Sequence, residues 1–208
     1  MSDADLLTLT QWLSPAFPLG AFAYSHGLEA AIDAGTVRDA EGVRDWLTLL
    51  LEEGTGAVDA TLLCLARAGD DLAATARALA PSRERLFEAE AQGAAFASTV
   101  SALSGISLDP APLPVAVGVA ARRLALADEQ VAALYLHGFA SNLVSVAVRF
   151  VPLGQTEGQQ VLAALHPTIL AVAARAAITP LDDMASAAFG ADLAAMEHET
   201  MDVRIFRT

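Results

Sequence analysis

The chain has 208 residues, and its 25 acidic against 12 basic residues give a formal net charge of −13 at pH 7. A nucleic-acid partner requires a basic face, so this charge excludes nucleic acid as an expected partner and favours basic partner proteins. The only cysteine, Cys64, excludes an intramolecular disulfide. Charges or prolines interrupt the most apolar stretches, so we expect no membrane partner and a cytoplasmic location.

An irregular loop rich in aromatic residues lies close to the N-terminus. Two prolines and a glycine within residues 15–20 disfavour regular structure there. The aromatic residues Phe17, Phe22 and Tyr24 are close together in this loop, and Ser25-x-Gly27-Leu28-Glu29 then begins a helix. Aromatic side chains in such a loop are usually buried, either in the protein's own core or against a partner. For Phe17 and Phe22 core packing is the favoured role.

Helical spacing of apolar residues dominates the rest of the chain. A stripe over residues 43–51 predicts a helix behind the acidic start at Asp39, and Ser82 is expected to cap another helix. Pro167 is expected to kink or split a later helix, because proline removes a backbone donor. No segment alternates convincingly with period two, so no strand is predicted. We predict an all-α, single-domain helical bundle of roughly eight to ten helices over residues 1–208.

The C-terminal segment, residues 181–208, differs from the helices before it because small residues alternate with charges. Terminal segments are usually mobile unless they are docked, so this tail is expected to dock and could become ordered only when a partner binds. Ile205 and Phe206, with arginines on both sides, have the character of a docking element. Ordinary packing on the chain's own core explains them about as well.

Motifs of common catalytic sites are missing from the sequence. It contains no dinucleotide-binding glycine motif, no phosphate-binding loop and no nucleophile elbow. None of the four histidines, His26, His137, His166 and His198, pairs with another at metal-ligand spacing along the chain. We therefore predict a binding protein without catalytic, cofactor-binding or metal-binding residues. A metal-dependent helical enzyme that uses His198 and nearby carboxylates is one alternative, and a generic helical adaptor is another.

Four collinear segments resemble the urease accessory protein F family. They are Ser14-Pro15-x-Phe17-Pro18-x-Gly20-x-Phe22-x-Tyr24-Ser25-x-Gly27-Leu28-Glu29, then Leu113-Pro114-Val115-Ala116-Val117-Gly118, then Asn142 to Gln159, and finally Asp192-Leu193-Ala194 with His198-Glu199-Thr200 and Arg204-Ile205-Phe206-Arg207. The matches run in order over nearly the whole chain, so the chain is identified as a member of this family. Glu197 and Asp202 depart from the family pattern, which has a basic and an aromatic residue at these positions.

The resemblance implies an all-α protein that has no catalytic activity of its own. It also implies that the protein is a homodimer when it is bound to its partner proteins. Members of the family bind a scaffold accessory protein of the D or H type, and that complex recruits a nickel-carrying GTPase of the G type. The assembly delivers nickel to apo-urease, and an internal passage is a suggested route. Nickel is therefore handled by the complex, and no cofactor is expected in this chain.

The resemblance also implies partner-binding residues in the first and last matching segments. Tyr24 has the amphipathic side chain that is favoured at interface centres, and Arg204 can make bidentate contacts that fix the tail. For Glu29 a contact with a basic partner and a role at the start of its own helix are equally supported. The expected partner-binding residues are Phe22, Tyr24, Ser25, Gly27, Glu29, His198, Glu199, Arg204 and Phe206.

Overall fold

The computed structural model describes residues 3–207, and within this range the chain forms eleven α-helices, two 3₁₀ helices and no strand. The prediction of an all-α fold is confirmed. Nine α-helices have nine residues or more, and two have six. The α-helices are α1 (Asp3–Trp12), α2 (Leu28–Asp33), α3 (Ala40–Glu53), α4 (Thr55–Ala68), α5 (Ala73–Ala78), α6 (Arg83–Ser104), α7 (Leu113–Ala121), α8 (Asp128–Phe150), α9 (Gln155–Ala164), α10 (His166–Ala176) and α11 (Phe189–His198), and the 3₁₀ helices are Ala21–Ala23 and Leu181–Asp183.

Several helix boundaries follow directly from local sequence. The Asp39 side chain accepts a hydrogen bond from the backbone N–H of Gly42 at 2.9 Å, which caps α3. Ser82 caps α6 in the same way, because its hydroxyl accepts from the backbone N–H of Arg85 at 3.2 Å. Pro167 lies in the first turn of α10 and separates it from α9, as predicted.

The long helix α8 lies at the centre of the fold. It packs against α2, α3, α4, α9 and α10. Its residues Val131, Leu136 and Leu143 are completely buried. Among residues 3–207, α8 is the one helix that is long and apolar enough to cross a membrane by length and composition, and half of its most apolar stretch is buried by the other helices. Burial accounts for the apolar character of that half.

Small residues allow α4 and α7 to approach each other closely. Ala60 and Ala66 on α4 and Ala120 on α7 are completely buried. A Cβ atom at Gly118 on α7 would collide with the backbone carbonyl oxygen of Leu63 on α4. The alanine-rich composition therefore serves backbone-to-backbone packing, which larger side chains would prevent.

The C-terminal tail contacts the rest of the chain throughout the described part of its length. The backbone N–H groups of Ala187 and Ala188 donate to the carbonyl oxygen of Glu53 at 2.7 and 3.2 Å, and α11 packs against α2 and α6. The backbone N–H of Arg207 donates to the carbonyl oxygen of Ala23 at 2.8 Å. The last residue of the predicted tail, Thr208, lies outside the described residues. That the tail becomes ordered only on partner binding stays a prediction.

Candidate functional site

The expected partner-binding residues from the two ends of the chain meet at one place. We call this place the terminal junction: residues 22–29 from the N-terminal loop and α2, residues 198–206 from the tail, and Glu84 at the start of α6. The tail crosses the beginning of α2 there. The junction therefore joins segments that are about 170 residues apart in the sequence.

The path of the chain into α2 depends on two left-handed residues. His26 has a φ of 55° and Gly27 a φ of 75°, so the chain turns sharply before Leu28. A Cβ atom at Gly27 would lie 2.7 Å from the backbone nitrogen of Ala195 on α11. Gly27 therefore permits a close backbone approach, and the element that approaches it is the chain's own helix α11.

Glu29 anchors the tail by accepting hydrogen bonds with both carboxylate oxygens. Its Oε1 accepts from the backbone N–H of Ile205 at 2.8 Å, and its Oε2 accepts from that of Phe206 at 3.0 Å. The same Oε2 lies 2.9 Å from Nε2 of His198. Burial by itself raises the pKa of Glu29, but the hydrogen bonds from His198 and the two backbone groups outweigh it, and the pKa lies below its ordinary value.

His198 connects the two carboxylates of the junction and is completely buried. Its Nδ1 lies 2.8 Å from Oε2 of Glu84, while its Nε2 contacts Glu29. Each ring nitrogen therefore has a carboxylate oxygen within hydrogen-bond distance. Arg204 adds a positive charge to the junction, since its guanidinium contacts the other oxygen of Glu84 and lies 3.4 Å from the carbonyl oxygen of His198.

Glu199 and Phe206 complete the attachment of the tail. The Oε1 of Glu199 accepts from the backbone N–H of Glu84 at 3.1 Å, in the first turn of α6, where a negative charge is favoured by the helix dipole. Its other oxygen lies 3.3 Å from the guanidinium of Arg83. The ring of Phe206 is buried and meets the ring of Phe150 with centroids 5.3 Å apart. The attachment is thus both polar and apolar.

The aromatic residues of the N-terminal loop have opposite environments. Phe17 and Tyr24 are buried, and so is Ser25, whose hydroxyl lies 3.4 Å from the backbone nitrogen of Glu29. Phe22, in contrast, is 66% exposed. The expectation of a core role is therefore confirmed for Phe17 and wrong for Phe22. Gly20 has a φ of 72° and starts the 3₁₀ turn Ala21–Ala23, and this turn holds its middle residue outside the core.

A second buried polar group, which we call the core polar cluster, consists of His26, Arg85, Glu88 and Gln92. Glu88 Oε1 lies 2.9 Å from Nε2 of His26 and accepts from the Gln92 amide at 2.7 Å, while Arg85 contacts both Glu88 and His26. Burial by itself raises the pKa of Glu88, but Arg85 and His26 outweigh it and lower the pKa to about 2. Burial and Arg85 lower the pKa of His26. Within residues 3–207, Nδ1 of His26 and Nε of Arg85 have no hydrogen-bond partner.

Two cavities adjoin this cluster, with volumes of about 230 and 490 Å³. Four residues line both of them: Asp59, Arg85, Ala89 and Pro114. Asp59 accepts a hydrogen bond from the Tyr135 hydroxyl at 2.8 Å, and burial raises the pKa of its carboxyl to about 6. The carboxyl group of Asp59 therefore lies between the two cavities, in the lining of both. The sequence motifs gave no signal for this site, because its residues come from four separate segments.

The arrangement of His198 argues against the metal-enzyme alternative. The two carboxylates contact opposite edges of the ring, so they do not converge with a ring nitrogen on one ion. Among the described residues 3–207, no group of three or more His, Cys, Asp or Glu side chains is placed to hold a metal ion. The fold does bring His137 and His166 together, with ring centroids 5.6 Å apart, although their spacing along the chain gave no indication of a pair.

Comparison with known proteins agrees with the resemblance found in the motifs. The family model for UreF matches residues 37–166 of this chain. The chain is 63% identical to "Urease accessory protein UreF" of Cereibacter sphaeroides (strain KD131 / KCTC 12085) over 99% of this chain and 100% of the relative. It is 53% identical to the protein of that name from Dinoroseobacter shibae, with 99% of both chains covered.

A relative from Paracoccus denitrificans with the same name is 51% identical over 99% of this chain and 97% of its own length. The matches to these relatives extend over both ends of the chain, whereas the family model's range includes Glu84 but not residues 22–29 or 198–206. The chain belongs to the UreF family.

Proposed function

We propose that this protein is a urease maturation factor, a non-catalytic adaptor that joins the scaffold accessory protein to the nickel-carrying GTPase so that nickel is inserted into apo-urease. Membership of the UreF family is the observation that carries the proposal. We place the protein in the cytoplasm, as a homodimer within the complex. Nickel is cargo of the assembly in this account.

The terminal junction supports a partner contact at this end of the molecule. Attachment of the tail through Glu29 buries Phe206 but leaves Val203 80% and Ile205 70% exposed. Phe22 is also exposed and belongs to the same junction. The hydrogen bond from the backbone N–H of Arg207 to the carbonyl oxygen of Ala23 brings these two segments together, and neighbouring exposed apolar side chains are typical of protein interaction sites. We therefore propose that Phe22, Val203 and Ile205 contact the scaffold protein, while the buried junction residues hold them in place.

The charge of the chain supports a basic partner. With a net charge of −13, the molecule attracts positively charged surfaces over distances of about 10 Å at ordinary ionic strength. Such attraction raises the rate of association more than it lowers the rate of dissociation. We expect complex formation with the scaffold protein to slow down as salt is added.

The paired cavities support the suggested internal route for nickel. Asp59 and Arg85 line both of them, and the polar residues Gln92, Tyr135 and Asn142 line the smaller one. A larger side chain at Ala89, which lines both cavities, would narrow the route without changing charge. We expect Ala89→Leu to lower urease activation while the complex still forms. Normal activation in this variant, with the fold retained, would contradict the passage.

A binding experiment tests the proposed scaffold contact. The affinity of the purified scaffold protein for the immobilised chain is measured for the wild type, Ile205→Ala and the control Leu103→Ala. Leu103 is 59% exposed at the far end of α6, so the control removes a comparable exposed aliphatic side chain. We expect Ile205→Ala to weaken binding about tenfold, since a buried interface anchor is worth more than about 1 kcal/mol, and the control to bind as the wild type does. Equal affinities for all three proteins would refute the contact.

A further inference from the structure

Two histidine side chains lie next to each other on neighbouring helices, away from the terminal junction. His137 is half-buried on α8, and His166 is the exposed first residue of α10. Their ring centroids are 5.6 Å apart, and the ring planes are inclined by 45°. Neither ring forms a hydrogen bond or an ion pair with any residue from 3 to 207. Their ring nitrogens are therefore available to a ligand.

The two rings are held by rigid elements. Leu136 and Ala140, on either side of His137 in the sequence, are completely buried, which fixes this part of α8. Ile169 and Val172 anchor α10 in the core, and Pro167 fixes the backbone next to His166. The packing of α8 against α10 thus sets the distance between the rings before any ligand binds.

We propose that His137 and His166 form a binding site for a borderline divalent transition-metal ion, of the class of Zn²⁺ and Ni²⁺. With metal–nitrogen bonds of about 2.1 Å, two imidazoles on one ion have ring centroids about 4.5 Å apart at a right angle and about 6.4 Å apart when opposite each other. The observed 5.6 Å lies between these limits. Imidazole nitrogen suits ions of this class, whereas Mg²⁺ and Ca²⁺ require oxygen ligands.

The electrostatic environment favours a metal ion between the rings. Imidazole binds a metal ion through its neutral form. The strongly negative net charge also attracts cations to the surface. With two protein ligands, the site leaves the remaining positions on the ion to water or to another protein. It is therefore expected to bind more weakly than a closed four-ligand site, and reversibly.

This site is independent of the proposed adaptor function, because the isolated chain contains both ligands. The test is a calorimetric titration of the full-length, tag-free protein with Zn²⁺ and with Ni²⁺, and with Mg²⁺ as the negative control. The variants are His137→Ala and His166→Ala, and the control is Thr168→Ala in the same turn of α10. We expect one ion per chain, at least tenfold weaker binding in each histidine variant, and unchanged binding in the control.

Nitrogen NMR of the imidazole groups identifies which histidines bind the ion. With Zn²⁺, the signals of two of the four histidines should shift, and these should be the signals that disappear in His137→Ala and His166→Ala. Since His166 is exposed, its variant is expected to keep the fold, which circular dichroism verifies. Shifts of the His26 or His198 signals instead, or binding of Zn²⁺ by the folded His166→Ala variant as tight as by the wild type, would overturn the proposal.

Discussion

Replacing Glu29 by Gln should release the C-terminal tail without unfolding the helical core. The carboxylate offers two oxygen atoms to the backbone N–H groups of Ile205 and Phe206, and it also contacts His198. An amide has one oxygen, so one of the two N–H groups would face an NH₂ donor. A lost hydrogen bond to a charged group costs about 1.5–3 kcal/mol. With the weakened His198 contact, we expect attachment of the tail to lose about 2–4 kcal/mol.

Hydrogen exchange at the amides of Ile205 and Phe206 measures this loss directly. A cost of about 2–4 kcal/mol corresponds to exchange that is about 30- to 1,000-fold faster, while amides in α8 should be unaffected. Glu41→Gln is the matched control, because the Glu41 side chain is 78% exposed on α3. Unchanged exchange at the two tail amides in Glu29→Gln would refute the anchoring role, and so would equal acceleration in Glu41→Gln.

The same carboxylate predicts how tail attachment depends on pH. The pKa of Glu29 lies below its ordinary value of 4.5 in the folded chain, so its contribution to attachment is fully present above pH 4.5. That contribution should disappear as the pH falls through the lower, folded-state pKa. In Glu29→Gln this part of the acid dependence should be absent, and the exchange rates of the two amides as a function of pH measure the difference.

Four further substitutions have defined outcomes. Gly27→Ala should destabilise the fold by about 1–3 kcal/mol in chemical unfolding, because the new Cβ meets Ala195 and the backbone is left-handed. Gly20 is also left-handed, with a φ of 72°, but no atom lies within 4 Å of the new Cβ. Gly20→Ala should therefore cost only the backbone strain of about 1 kcal/mol. Phe206→Ala should leave the core folded but make the tail cleavable by limited proteolysis, since it removes a ring that is buried against Phe150. Asp59→Asn should stabilise the fold by up to about 3 kcal/mol above pH 6.

The sign of the Asp59 effect follows from its raised pKa. In the unfolded chain this carboxyl ionises near pH 3.8, and in the folded protein near pH 6, so the wild type loses stability as the pH rises through this window. The amide of Asn resembles the neutral acid and has no such loss. Urea unfolding at pH 4 and pH 8 should therefore show little difference at pH 4 and a gain at pH 8. A gain of equal size at both pH values would contradict ionisation as its cause.

Local sequence was sufficient to predict the helices but not their contacts. The stripe behind Asp39, the Ser82 cap and the break at Pro167 depend on neighbouring residues, and all three appear as predicted. The motif residues Glu29 and His198 were recognised as important for different reasons. That they contact each other could not be read from the sequence, because a contact between residues so far apart depends on how α2 and α11 pack.

The contacts of the candidate site were even harder to predict from the sequence than those between the helices. Phe17 and Phe22 are both aromatic residues of the same N-terminal loop, so the sequence did not distinguish them. The turn after Gly20 exposes Phe22, whereas Phe17 is buried in the core. Three residues of the core polar cluster, Arg85, Glu88 and Gln92, lie on α6 and form no distinctive motif, so nothing in the sequence set them apart. Motifs thus identified the ends of the chain that meet, whereas burial decided what each residue does there.

The proposed adaptor role is tested most directly by reconstituting the assembly. This protein, the scaffold accessory protein and the nickel GTPase from the same organism are mixed, and light scattering on a sizing column gives the mass of each complex. We expect a stoichiometric ternary peak that retains the GTPase only when this chain is present. A scaffold–GTPase complex that forms equally well without the chain, or a folded chain that binds neither partner, would contradict the account.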